Sequence, residues 1–221
     1  MAKTDKDTAK AKVKKWKRRA RAAEGRLAEL ATPAAPKKKV VIVSPLAPKD
    51  GFPLLPPVAG AEFATAQAGV RYQGRTDVML ARLAPGTVIA GTFTRSATRS
   101  AAVLDCQAKL GAGPTDAGAA ILVNSGNSNA FTGARGWASV NALSAAVAQK
   151  LGIPENRVFT SSTGVIGEPL PHERIEAALD GLVSGLGPDG IAMAARAIMT
   201  TDTFPKGAMA EVTIDGQTAR I

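Results

Sequence analysis

The 221-residue sequence predicts an α/β fold, more narrowly α+β: a layered sandwich of mixed sheets and helices. Two observations predict it. The first strand-like runs of the body are joined by short turns, which calls for antiparallel pairing and speaks against a purely parallel sheet. Further on, short buried runs alternate with helical stretches. Aromatic residues make up only 4% of the chain and apolar residues 45%, so the core must be built from Ala, Val, Ile and Leu.

Charge sets the start of the folded body. Residues 1–40 hold 14 of the 28 Lys and Arg but only 4 of the 18 Asp and Glu, so the whole net charge of +10 lies there and the remainder is neutral. We read residues 1–39 as a basic tail and linker, and residues 40–221 as the body. Ala, Lys, Arg and Leu favour a basic helix over residues 8–31. Such a segment can bind RNA, DNA or an anionic membrane surface. It equally fits a solvated extension without a partner. Residues 32–39, rich in Pro, Ala and Lys, form the linker.

In the body, residues 39–44 read as a strand cut off by Pro45, residues 61–68 as a second strand, and residues 69–75 as a turn. Residues 77–83 form the next strand, Pro85 and Gly86 turn the chain, and residues 87–94 supply another strand. Residues 101–109 read as a short helix. Residues 119–124 are an apolar run ending in a polar residue, typical of a strand leaving the core. A helix follows within residues 133–152, with Ser139 capping residues 140–150 and Gly152 stopping them. Residues 158–162 form a short strand, and residues 171–182 and 190–199 are helical. Residues 210–221 are a hairpin turning at Asp215 and Gly216, its second strand interrupted at Ile221.

Several function classes drop out. No apolar run is long enough to span a bilayer, and no apolar segment follows the charged N-terminus as in a secretory signal; we expect a cytoplasmic protein. Cys106 is the single cysteine, so no internal disulfide forms; it reads as a small buried hydrophobe. His172 is the single histidine and should sit near a helix start on the surface. One His and one Cys exclude the familiar zinc patterns and leave a Ser-His-Asp triad only His172 as base. We expect no metal and no cofactor, and chemistry done without histidine. There is no phosphate-binding loop and no dinucleotide fingerprint.

Small polar residues after buried strands mark the candidate sites. Asn124 to Gly133 is dense in Asn and Gly, including Asn124, Asn127 and Asn129. Read as a loop, it can turn sharply and aim N–H groups at an anion or carboxylate; it fits equally a tight turn whose Asn side chains satisfy themselves. Ser161 to Gly167 sets hydroxyls beside glycine at a strand end. There a backbone N–H and the Thr163 hydroxyl can hold a developing oxyanion; a βα loop with a helix cap is the plainer reading. Met199 to Lys206 places Asp202 among Thr200, Thr201 and Thr203, as a site or as a helix stop. Arg95 could reach a carboxylate, or be a surface charge.

Taken in order, these segments resemble the ornithine acetyltransferase family. The matching stretches are Ser44-Pro-Leu-Ala-Pro, Gly74-Arg-Thr-Asp77, Gly91-Thr-Phe-Thr-Arg95, Val123-Asn-Ser-Gly-Asn-Ser-Asn-Ala130, Ser162-Thr-Gly-Val-Ile-Gly167 and Ile198-Met-Thr-Thr-Asp-Thr203. They cover roughly residues 43–206. The resemblance implies a precursor that cleaves itself before an internal threonine, whose hydroxyl then takes the acetyl group of N2-acetylornithine and passes it to glutamate. The new terminal amine would serve as base, and acetyl-CoA would be a further substrate if the enzyme is bifunctional. It implies oxyanion roles for Thr163 and Gly164, substrate binding by Thr200 or Thr201, and supporting roles for Asn124, Asn127, Asn129 and Asp202. It also implies a second, C-terminal chain and a heterotetramer of two chains of each kind. The nucleophilic threonine and a Lys-Gly segment before it are not found in this sequence, so we expect a fragment, inactive alone. The competing readings are an N-terminal-nucleophile amidohydrolase that uses water as acceptor, and a nucleic-acid-binding protein acting through residues 1–39.

Overall fold

The computed structural model describes residues 14–22, 42–110 and 116–221. The chain falls into two units, Met1–Ile42 and Val43–Ile221. In the first, residues 14–22 are helical, and Trp16 is 70% exposed. The other positions of the expected basic helix and the linker lie outside the described residues.

The second unit is built on a four-stranded sheet in the order β1-β2-β3-β4. The strands are β1 (Ala61–Ala66), β2 (Val78–Leu83), β3 (Ala119–Asn127) and β4 (Val158–Val165). β1/β2 and β2/β3 are antiparallel, and β3/β4 are parallel. The sheet is therefore mixed, as the short early turns predict. Among the described residues four α-helices accompany it: α1 (Ala101–Leu110), α2 (Gly133–Leu151), α3 (His172–Ser184) and α4 (Ile191–Ala197).

Side chains alternate across a strand, and β2 uses both faces. Val78 and Leu80 join Ala120, Leu122 and Val158 in a core closed by Leu143 and Val147 of α2 and Ile175, Leu179 and Leu182 of α3. Met79 and Ala81 face the other way, against Ala194 and Ala197 of α4. Burial on both faces explains the unbroken apolar run of residues 78–81. Ile175, Leu179 and Leu182 fall on one helical stripe, and burying each contributes about 2 kcal/mol.

The helix expected after residue 139 begins earlier, at Gly133. Ser139 is buried inside it rather than capping it, because its Oγ finds partners in the Arg135 carbonyl and His172 Nδ1, both at 3.1 Å. His172 does start a helix, α3, although its ring is half-buried against Ser139. The expected stop is present: Gly152 is left-handed (φ 64°), and its N–H caps the Ala148 carbonyl.

Two expected strands are not formed among the described residues. Residues 42–44 are not extended into a sheet, and positions 39–41 lie outside the described residues. Residues 87–94 alternate as a strand would but make no ladder. The Thr87 N–H turns back to Ala84 O at 3.2 Å, and its carbonyl accepts from the Arg157 guanidinium at 2.6 Å. The hairpin forms as β5 (Glu211–Ile214) and β6 (Gln217–Arg220). Its pairing runs from Ile214↔Gln217 to Glu211↔Arg220, and Ala210 and Ile221 exchange two further backbone bonds. Positive φ at both Asp215 (51°) and Gly216 (79°) marks the tight turn that suits twisted strands.

Two buried polar devices hold the sheet's margins. Asp77, 1% exposed, accepts the N–H groups of Ala68 and Val70, each at 2.7 Å, and so folds the connection between β1 and β2. On the far margin α1 covers the start of β4. Lys109 Nζ donates to Val158 O at 2.8 Å, and Cys106 Sγ donates to Thr160 O at 3.4 Å. Lys109 also pairs with Asp105 at 2.6 Å and donates to Ser144 Oγ. Burial pushes the Cys106 thiol above its ordinary pKa.

Asp77→Ala strands two amides inside the β1–β2 connection and should cost about 3 kcal/mol in urea unfolding with an unchanged slope; a loss under about 0.5 kcal/mol would mean that the backbone alone shapes this connection. The raised thiol pKa keeps Cys106 protonated as pH climbs through the usual thiol range. Its alkylation at pH 8 should therefore be slower than that of the unfolded chain by about tenfold or more. Equal rates in folded and urea-unfolded protein would contradict the Cys106 geometry.

Candidate functional site

Because β3 and β4 run parallel, their C-terminal ends emerge side by side at one end of the sheet. Both carry small polar residues there. The register sets Asn124 beside Ser162, Ser125 beside Thr163 and Gly126 beside Gly164. The strands hold together further than their sequences foretell. Asn124–Asn127 belongs to β3 rather than to a loop, and Thr163 and Gly164 lie within β4 rather than after it. A register shift at Asn127, which faces both Thr163 and Val165, ends the pairing.

Gly164 makes this approach feasible. Its φ of 135° is poorly open to other residues, and a Cβ there would stand 2.3 Å from the Gly126 carbonyl carbon and 2.6 Å from Asn127 N. Any side chain would drive the strands apart just where the polar residues meet.

The asparagines are consumed as braces. Asn124 accepts from Ser162 Oγ at 2.7 Å and donates to Asn127 O at 2.8 Å. Asn127 donates to the carbonyls of Glu168 and Pro169 and accepts the Asn129 N–H. Asn129, with no exposed surface and φ of 48°, donates to Gly136 O and accepts the Thr132 hydroxyl. The self-satisfied reading therefore describes these side chains. They tie β3 to the segment after β4 and to the start of α2.

The hydroxyls form a second group. Thr163 Oγ1 lies 3.3 Å from Thr200 Oγ1, bringing β4 against the segment after α4. Both side chains are half-buried, whereas Thr201 is exposed. Asp202 is also exposed and pairs with Lys206 at 2.6 Å; that ammonium holds its carboxyl below the usual carboxylate range. Arg95 is exposed. The structure thus brings Thr163, Gly164 and Thr200 together and leaves Thr201, Asp202 and Arg95 on the surface.

Two neighbours escaped the sequence reading as site residues. Ser125 Oγ donates to Ala197 O at 2.7 Å, and Arg75 Nη2 reaches both Ser125 Oγ and the Met199 carbonyl. Both sit inside motifs already noted, Gly74-Arg-Thr-Asp77 and the Asn-rich run. The signal was present, but nothing local distinguishes a half-buried anchor from a surface arginine. No group of acidic, His and Cys residues suited to a metal ion occurs among the described residues, and no helix among them is long and apolar enough to cross a membrane.

Comparison with known proteins bears on the family and the fold. A profile described as the ArgJ family matches residues 62–221. Curated relatives named arginine biosynthesis bifunctional protein ArgJ include one from Ruegeria pomeroyi, 64% identical over 83% of this chain and 44% of its own length. Another, from Gluconobacter oxydans, is 50% identical over 83% of this chain and 42% of its own length. Among solved structures, ornithine acetyltransferase from Mycobacterium tuberculosis complexed with ornithine is 34% identical with a TM-score of 0.62, covering 74% of this chain and 86% of that one. The arginine biosynthesis bifunctional protein ArgJ from Bacillus halodurans is 27% identical, also at 0.62, covering 74% of this chain and 84% of that one. The chain belongs to the ArgJ family. It spans less than half the length of these curated relatives.

Gly164→Ala should lower the unfolding free energy by about 3 kcal/mol, through an overpacked crossing and a disfavoured φ. An unshifted unfolding midpoint would mean that β3 and β4 can part at no cost.

Proposed function

We propose that the intact protein transfers the acetyl group of N2-acetylornithine to glutamate in arginine biosynthesis. Thr163, Gly164 and Thr200 of this chain form part of its site. The observation that carries this reading is the meeting of the Thr163 and Thr200 hydroxyls beside Gly164 at the ends of two parallel strands. Acetyl transfer passes through a tetrahedral intermediate whose charge gathers on the former carbonyl oxygen. Two donors aimed at that oxygen lower the barrier, each by about 10²–10³-fold in rate.

Strand geometry supports Gly164 N–H as one donor. The Val158 and Thr160 carbonyls are taken from the α1 side, and the Val165 carbonyl accepts from Ser128, which follows β3. By the alternation of an extended strand, the Thr163 carbonyl turns toward β3 and the Gly164 N–H turns away, free of the ladder. Thr163 Oγ1 is the second donor, and Thr200 contacts substrate in preference to the exposed Thr201. Asn124, Asn127 and Asn129 keep the strand ends in place, and Asp202 stays at the margin.

In this reading the nucleophile is a threonine released by self-cleavage in the remainder of the protein, with its own amine as base. The two resulting chains assemble as a heterotetramer of two of each, in the cytoplasm, with no metal or cofactor. The name shared by the relatives includes the word bifunctional, which supports acetyl-CoA as a further acetyl donor. The solved neighbours are covered almost whole while the curated relatives are covered less than half, which fits an enzyme made of two chains. The M. tuberculosis structure holds ornithine, the deacetylated product of this reaction.

The test is an intact mass spectrum of the full reading frame's product after incubation with N2-acetylornithine. Two chains are expected, the C-terminal one heavier by an acetyl group, which glutamate then removes. Removal by water alone would support an amidohydrolase, and a single unmodified chain would refute the proposal. Thr163→Val should lower kcat about 100-fold with little change in KM; a wild-type kcat would remove Thr163 from the oxyanion role.

A further inference from the structure

We propose that Arg75 is the positioning residue that fixes Thr200 opposite Thr163; the assignment rests on the reading of the site just given. α4 is only seven residues long, too short to hold its shape alone. Its last carbonyls need partners from outside, and β3 and its neighbourhood supply them. Ser125 Oγ donates to Ala197 O at 2.7 Å. Arg75 Nη2 donates to Met199 O and, at 3.4 Å, to Ser125 Oγ, so one guanidinium nitrogen links both anchors. A cation at a helix C-terminus also meets the favourable end of its dipole.

Arg75 is itself held. Its guanidinium lies 5.7 Å from the centre of the Tyr72 ring. The connection that carries it is folded by the buried carboxylate of Asp77, two residues on. Thr200 directly follows the carbonyl that Arg75 grips. The Thr163–Thr200 separation of 3.3 Å is therefore set from three sides: β4 places Thr163, Ser125 ends α4, and Arg75 fixes the residue before Thr200. A lysine would keep the charge but lose the planar fork and the stacking.

The experiment is steady-state kinetics of acetyl transfer from N2-acetylornithine to glutamate, using the full-length protein. The variants are Arg75→Ala, Arg75→Lys, Thr200→Ala, the Arg75→Ala/Thr200→Ala double variant, and Arg71→Ala. Arg71 lies 6.0 Å from the same Tyr72 ring but pairs with Glu168 at the surface, so it serves as control. Arg75→Ala should raise KM for N2-acetylornithine about tenfold with a smaller change in kcat. Arg75→Lys should fall between, and Arg71→Ala should match wild type. In the Thr200→Ala background, Arg75→Ala should add little, because its effect passes through Thr200.

A wild-type KM in Arg75→Ala, an equal rise in Arg71→Ala, or full additivity with Thr200→Ala overturns the assignment. If Arg75→Ala does not fold, Arg75→Lys decides, and a wild-type KM there overturns it as well. A wild-type protein without acetyl transfer overturns the reading of the site. Wild-type transfer with an Arg75→Ala KM unchanged overturns only the role of Arg75.

Discussion

The close parallel approach of β3 and β4 at Gly126 and Gly164 is the constraint on which the rest of the molecule depends. Parallel pairing puts two strand ends at the same edge, and the missing side chain at Gly164 lets them stay paired to the end. Everything polar in the site is arranged around that crossing. Ser162 meets Asn124 across it, Ser128 closes on the Val165 carbonyl beyond it, and Thr163 is left facing Thr200. Widening the gap between the strands would undo all three contacts at once.

The supports come from outside the strands. Asp77 shapes the connection carrying Arg75, Arg75 and Ser125 grip the end of α4, and the asparagines bind the strand ends to the start of α2. These groups are buried or half-buried with their hydrogen bonds internally satisfied, so they hold positions without needing to be remade when a substrate arrives. Thr163 and Thr200 are half-buried, as is Arg75, whereas Asp77, Ser125 and the three asparagines are buried.

Much of the frame was legible in the sequence, for physical reasons. Helices α2 and α3 show in their apolar stripes, Gly152 shows as a left-handed stop, and Asp215-Gly216 shows as a hairpin turn. The neutral body and basic N-terminal stretch show in the charge distribution. The strand ends did not show, because Asn, Ser and Gly have little strand preference of their own and are kept extended by the neighbouring strand. Residues 87–94 misled in the opposite direction, since alternation describes a strand only where a partner edge exists. Ser139 misled as a cap because a buried serine deep within a helix looks, in sequence, like one at its start. The motifs pointed to Thr163, Gly164 and the Thr200–Thr201 pair; that Thr200 rather than Thr201 is half-buried needed the anchor on Met199, which joins residues 124 positions apart.

The β5–β6 hairpin differs from the sheet in a way that bears on time rather than shape. Its residues are exposed along both strands, and its pairing is to itself. The strands of the main sheet are sealed by helices on both faces at β2. Two clocks therefore run in one chain. Hairpin amides can trade hydrogen with solvent through local fraying, whereas those around Val78 and Leu80 must wait for the whole core to open.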